Sequence, residues 1–144
     1  MAQVTVNHLG ITITISSKDM IQVGSLDLTD DYWSEYIAWD PAEVKAALAR
    51  LHAQPHVPRR VNCQYGRNRS PTMATLYLWW RSGQALGLAY NAVVGAYAVV
   101  GAPLDTAKMQ NLMGQLLGAY SGVRRWVWNN ITAMVPGQAA DVLP

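Results

Sequence analysis

The chain has 144 residues, 51% of them hydrophobic and 14% charged, with a net charge of +2. That composition suits one compact domain with an ordinary core, and so small a positive excess argues against an extended nucleic-acid groove. A single cysteine, Cys63, excludes an internal disulfide, and no secretory signal pattern opens the chain, so a cytoplasmic setting is expected.

The N-terminal part alternates with the period of strands: Val4 and Val6, then Ile11, Ile13 and Ile15, then Ile21 and Val23, then Leu26 and Leu28. Three or four short strands fit, with a turn over Asn7 to Gly10 and a break at Gly24-Ser25. Asp30 and Asp31 then lead into Tyr32-Trp33 in a stretch without a clear period, which reads as a loop. At Asp40-Pro41-Ala42-Glu43 an N-cap residue, a proline at the first helical position and a glutamate three residues after the cap begin a helix. Val44, Leu48 and Leu51 form its apolar stripe, and it should end near His52. Pro55 and Pro58 interrupt the chain before a short strand, Arg60 to Cys63.

Beyond Cys63 the pattern is helical: Ser70 to Arg81, Leu86 to Gly101, Leu104 to Tyr120, and a further segment from Val123 to Met134. Leu86 to Ala102 carries no charge, but it is weakly apolar, includes Asn91 and ends at Pro103. A membrane-spanning helix needs about 20 strongly apolar residues, so a buried helix is expected here instead. Strands first, one strand-loop-helix crossover in the middle and helices last imply an α/β fold, a small and mostly parallel sheet flanked by helices with a helical C-terminal half. Residues 1–135 are expected to form a single domain and 136–144 a loose tail.

The chemistry concentrates in Cys63-Gln64-Tyr65-Gly66-Arg67-Asn68-Arg69-Ser70-Pro71-Thr72. Ser70 is read as the N-cap of the following helix and Pro71 as its first residue, so the helix's positive end faces the loop. A thiol among unpaired N–H groups at such an end, beside arginine, is placed to act as a nucleophile. Gly66 permits the tight turn that aims the backbone N–H groups of Gln64 to Asn68 at one anion. Arg69, six positions after the cysteine, offers a planar fork for two equatorial phosphoryl oxygens, and Ser70 can donate to the sulfur when it leaves. Tyr65 and Arg67 line the mouth, and Arg67 adds charge suited to polyanionic substrates.

On Cys63, Gly66, Arg69, Ser70, Pro71 and Thr72, continued by Leu76-Tyr77-Leu78, the sequence resembles the cysteine-dependent protein tyrosine phosphatase superfamily, most closely its small dual-specificity branch. The order of elements from about Leu26 to about Tyr120 agrees with it more weakly. The resemblance implies a protein tyrosine phosphatase-like fold and a phosphocysteine mechanism that uses no metal or cofactor. It also implies an aspartate upstream that protonates the leaving oxygen. Asp31, 32 positions before Cys63, is the first choice for it and Asp30 the alternative. Asp40, in Trp39-Asp40-Pro41, resembles a rearranged tryptophan-containing acid loop but is already explained as a cap. Phosphorylated proteins or other phosphomonoesters are the implied partners, with nucleic acid only as a 5′-phosphate.

Asn62 stands where the family usually has histidine, a residue that helps to fix the loop, and asparagine can still bond to loop carbonyls. This departure keeps open a second reading, a phosphatase-like module that captures phosphorylated partners without efficient turnover. Rhodaneses are disfavoured by the six-position step, low-molecular-weight phosphatases and arsenate reductases by the mid-chain position of the loop, and nucleotide P-loops by the lack of lysine before Ser70. Trp79, Trp80, Trp126 and Trp128 are expected in the core, and His8, His52 and His56 show no metal-ligand spacing.

Overall fold

The computed structural model describes residues 3–20, 23–30, 32–35 and 39–117. Strands β1 (Val4–His8) and β2 (Ile11–Ser17) form a hairpin, followed by a 3₁₀ turn at Lys18–Met20 and a short strand β3 (Leu26–Asp27). Helix α1 (Pro41–His52) leads to β4 (Arg59–Cys63), and three helices follow: α2 (Arg69–Ser82), α3 (Leu86–Val100) and α4 (Thr106–Leu117). The sheet order is β1-β2-β4-β3, with β1 antiparallel to β2 and with β4 parallel to both β2 and β3.

The hairpin is tighter than the sequence suggests. β1 continues through His8, and only Leu9 and Gly10 lie outside the ladder, both at positive φ (53° and 83°). That is the backbone a two-residue hairpin loop needs to match the twist of its strands. The side chain of Asn7 accepts from the Gly10 N–H at 3.1 Å and closes the turn.

β4 lies between two parallel neighbours, and its last three residues, Val61, Asn62 and Cys63, are buried. The strand begins one residue earlier than its apolar pattern implies, because Arg59 and Arg60 are anchored at its start. Arg59 donates to the His52 carbonyl at 3.1 Å and Arg60 to the Val23 carbonyl at 2.6 Å. α1 packs against β3 and β4, α2 against β2 and β4, and α3 against β1. Ile13, Ile15, Val61, Leu48, Leu76 and Met109 meet in one core, where each large aliphatic side chain contributes roughly 1.5–3 kcal/mol.

α1 starts as its sequence dictates, with Asp40 accepting from the Ala42 N–H at 3.0 Å and proline in the first turn. Trp79 and Trp80 are buried core residues. Among the described residues no helix is long and apolar enough to cross a membrane. Asp31, Ile21, the expected helix from Val123 to Met134, Trp126, Trp128 and the 136–144 segment lie outside the described residues.

Candidate active site

The loop from Cys63 to Arg69 joins the C-terminal end of β4 to the N-terminus of α2. Cys63 is 2% exposed, so its sulfur is almost wholly covered. Cys63 Sγ lies 3.1 Å from Ser70 Oγ and accepts from the Gly66 N–H at 3.3 Å. Gly66 has φ +69°, the left-handed backbone that favours glycine and lets this amide turn back to the sulfur.

Ser70 is not the N-cap. Helix α2 begins at Arg69, Asn68 occupies the cap position without a side-chain capping bond, and Pro71 is the third helical residue. The reason lies in where the two side chains point. The Ser70 hydroxyl is turned to Cys63, and Asn68 donates its amide to Glu35 Oε2 at 2.8 Å.

The Arg69 side chain reaches the segment before α1. Its Nη1 donates to the carbonyls of Leu28 at 3.0 Å and Trp33 at 3.1 Å, which bracket Asp30 and Asp31. Among the described residues neither its buried Nε nor its Nη2 has a hydrogen-bond partner. The Nε–Nη2 edge is the side-on fork that takes two oxygens of one anion. Trp33 and Trp39 hold the bracketing segment in the core, ring to ring at 5.1 Å and edge on, and Trp39 Nε1 donates to the Ser34 carbonyl at 2.8 Å.

Asp30 is exposed, and its Oδ1 accepts from the Tyr32 N–H at 3.1 Å. Asp40 is exposed, and its Oδ1 accepts the capping bond from the Ala42 N–H at 3.0 Å. Asn62 is wholly buried, but its side chain does not face the loop carbonyls. Instead its Nδ2 donates to Asp27 Oδ1 at 3.0 Å and its Oδ1 accepts from Ser25 Oγ at 2.7 Å, because β3 lies alongside at that register.

Carbonyls around the loop are tied outward. Gln64 O accepts from Lys18 N at 3.1 Å, Arg67 O from Asp105 N at 2.8 Å, and Asn68 O from Thr72 N at 2.9 Å. Gly66 O accepts from the Tyr97 hydroxyl at 2.6 Å. Tyr65 is 64% exposed at the mouth, with the Arg67 guanidinium 5.9 Å from its ring centroid. Arg67 also lines a cleft of about 350 Å³ with Pro103, Leu104, Asp105, Thr106 and Ala107.

No protein-family model and no curated protein matches the sequence. Among solved structures the chain is similar to Tk-PTP, crystallised in its active form, with a TM-score of 0.51 and 13% identity over 70% of this chain and 88% of that one. The fold is protein tyrosine phosphatase-like. Within this phosphatase-like fold, Cys63, Gly66 and Ser70 are joined by hydrogen bonds, while the Arg69 side chain is bonded to the carbonyls of Leu28 and Trp33. Glu35, Tyr97 and Asp105 join them unannounced by the sequence. Glu35 bonds Asn68 and also pairs with Lys108 of α4 at 3.4 Å. These residues follow no motif: the segment before α1 brings Glu35 to the loop, α3 brings Tyr97, and the turn into α4 brings Asp105.

Proposed function

We propose that this protein is a cysteine-dependent phosphatase of the dual-specificity type, hydrolysing phosphotyrosine, phosphoserine or phosphothreonine through a phosphocysteine. One observation carries the reading: a sulfur bonded by Ser70 Oγ and the Gly66 N–H at the start of α2, in a loop that ends on an arginine whose Nε–Nη2 edge has no partner among the described residues. A tetrahedral dianion suits that arrangement.

In the first step the Cys63 thiolate attacks phosphorus in line. The S–P bond forms as the P–O bond to the alcohol or phenol breaks, and Asp31 gives the leaving oxygen its proton. Asp30 is the alternative acid. In the second step water attacks the phosphocysteine, the same carboxylate takes the proton, and the sulfur leaves as thiolate with Ser70 donating to it. Arg69 and the loop amides between Gln64 and Asn68 other than that of Gly66, which bonds the sulfur, hold the equatorial oxygens in both transition states, so catalysis is largely positioning and electrostatics.

A second reading is favoured by Asn62. Its amide is committed to Ser25 and Asp27, which leaves the loop without the support the family's histidine gives and suits a module that holds phosphorylated partners with little turnover. Arg67 beside its cleft suits a third substrate class, the polyanionic RNA 5′-phosphates and phosphoinositides.

Phosphate release from an aryl phosphate by the wild type and by Cys63→Ser tests the choice. Release by the wild type alone supports the enzyme. Background release from both, with inorganic phosphate still bound, supports the capture module. Absence of both hydrolysis and binding removes both readings.

A further inference from the structure

Resting on the phosphate-binding reading of the loop, we propose that Tyr97 of α3 is a positioning residue: its hydroxyl holds the Gly66 carbonyl outward and thereby turns the Arg67 N–H toward the bound phosphoryl group.

The argument starts from the peptide unit. A trans peptide is planar, with its C=O and N–H pointing in opposite directions. The Gly66 carbonyl and the Arg67 N–H belong to one such unit, so fixing the first fixes the second. Tyr97 Oη donates to Gly66 O at 2.6 Å in a buried setting. Tyr97 itself is 1% exposed.

The neighbouring units are held in the same sense, Gln64 O by the Lys18 N–H and Arg67 O by the Asp105 N–H. These anchors direct the amides of Tyr65 and Asn68 away from the surrounding protein. None of the amides of Tyr65, Arg67 and Asn68 has a protein acceptor among the described residues. Of the three anchors, only that of Gly66 is a side chain. Gly66 is also the unit most in need of one, since glycine at φ +69° has the widest backbone freedom in the loop. The donor does not lapse with pH. Burial, and then the coulombic effect of Cys63, push Tyr97 ionisation above the ordinary tyrosine range, so the hydroxyl keeps its proton at neutral pH.

The test uses Tyr97→Phe in the full chain, with Tyr77→Phe as control. Tyr77 is equally buried and loses a comparable bond, 3.1 Å to His52, on α2. Because Cys63 is the chain's only thiol, the inorganic phosphate concentration that halves its alkylation by iodoacetamide reads anion binding without turnover. Tyr97→Phe should raise that concentration about tenfold, the equivalent of one hydrogen bond to a buried carbonyl. Tyr77→Phe should leave it unchanged, although both variants lose stability. Equal protection in Tyr97→Phe and wild type overturns the role of Tyr97 and leaves the phosphatase reading standing. Failure of phosphate to protect even the wild type removes that reading, and the positioning role with it. A measurement on the wild type needs no variant: the Arg67 amide proton should move downfield when inorganic phosphate is added, and an unmoved Arg67 signal beside shifting neighbours overturns the inference.

Discussion

The Ser70 hydroxyl stands 3.1 Å from Cys63 Sγ, buried, one helical residue past the start of α2. From there it can stabilise a departing thiolate, which matters when the phosphocysteine breaks down. Ser70→Ala should slow that second step about 10- to 100-fold, the range of a charge-assisted hydrogen bond. Quenched samples analysed by intact mass should then contain accumulated phosphoenzyme. Unchanged turnover with none accumulating would show that Ser70 is only structural.

Arg69 makes two demands of one side chain, bonding Leu28 O and Trp33 O through Nη1 while keeping the Nε–Nη2 edge open. Lysine retains the charge but has no planar fork. Arg69→Lys should lower kcat by about 10²- to 10³-fold, the loss seen when a donor to a developing anion is removed. A kcat within tenfold of wild type would mean that the fork is not used.

The general acid should reveal itself by leaving group. Asp31→Ala should slow release of poorly activated alkyl alcohols by about 10²- to 10⁴-fold and hardly affect an activated nitrophenol. If Asp30→Ala gives this pattern instead, the exposed carboxylate that bonds Tyr32 N is the acid.

Asn62 is buried with both ends of its amide bonded, to Ser25 and to Asp27. Asn62→Ala strands those partners and should lower unfolding free energy in urea by about 1–3 kcal/mol. A change below the error of the titration would show that water replaces the amide.

Acid should destabilise the fold in a predictable window. Burial lowers the ionisation of His8, and burial aided by nearby arginines lowers that of His52 and His56, all from an ordinary value of 6.5. The unfolded chain therefore binds protons that the folded chain refuses. The stability from these neutral histidines is complete above pH 6.5 and lost as pH falls through the unfolded value toward the lower folded ones. Urea midpoints should fall between pH 7 and pH 5, and His52→Asn should flatten that slope. A slope unaltered by the substitution would assign the acid sensitivity elsewhere.

Local chemistry was legible where it is satisfied locally. Asp40-Pro41 starts α1 as written, β4 ends at Cys63, and α2 and α3 fall within a residue or two of their apolar periods. Ser70 shows the limit, since a good N-cap residue two positions downstream of Asn68 turned instead to a sulfur. Its side chain had two partners to choose between, and only one of them is near in sequence. Asn62 is the same case, its amide taken by residues 35 and 37 positions away.

By itself the sequence determined the α/β order of elements and the nearness of Cys63, Gly66 and Ser70, because turn and periodicity act over a few residues. Tertiary structure alone decided what surrounds that loop: Leu28 and Trp33 on the arginine, Glu35 on Asn68, Tyr97 on Gly66 and Asp105 on Arg67. Each of these bonds joins residues 31 to 41 positions apart, and the one to Arg67 is made by the backbone of Asp105, for which any residue but proline would serve. A donor or acceptor present in every residue leaves no mark on the letters, so only folding reveals which of them meet.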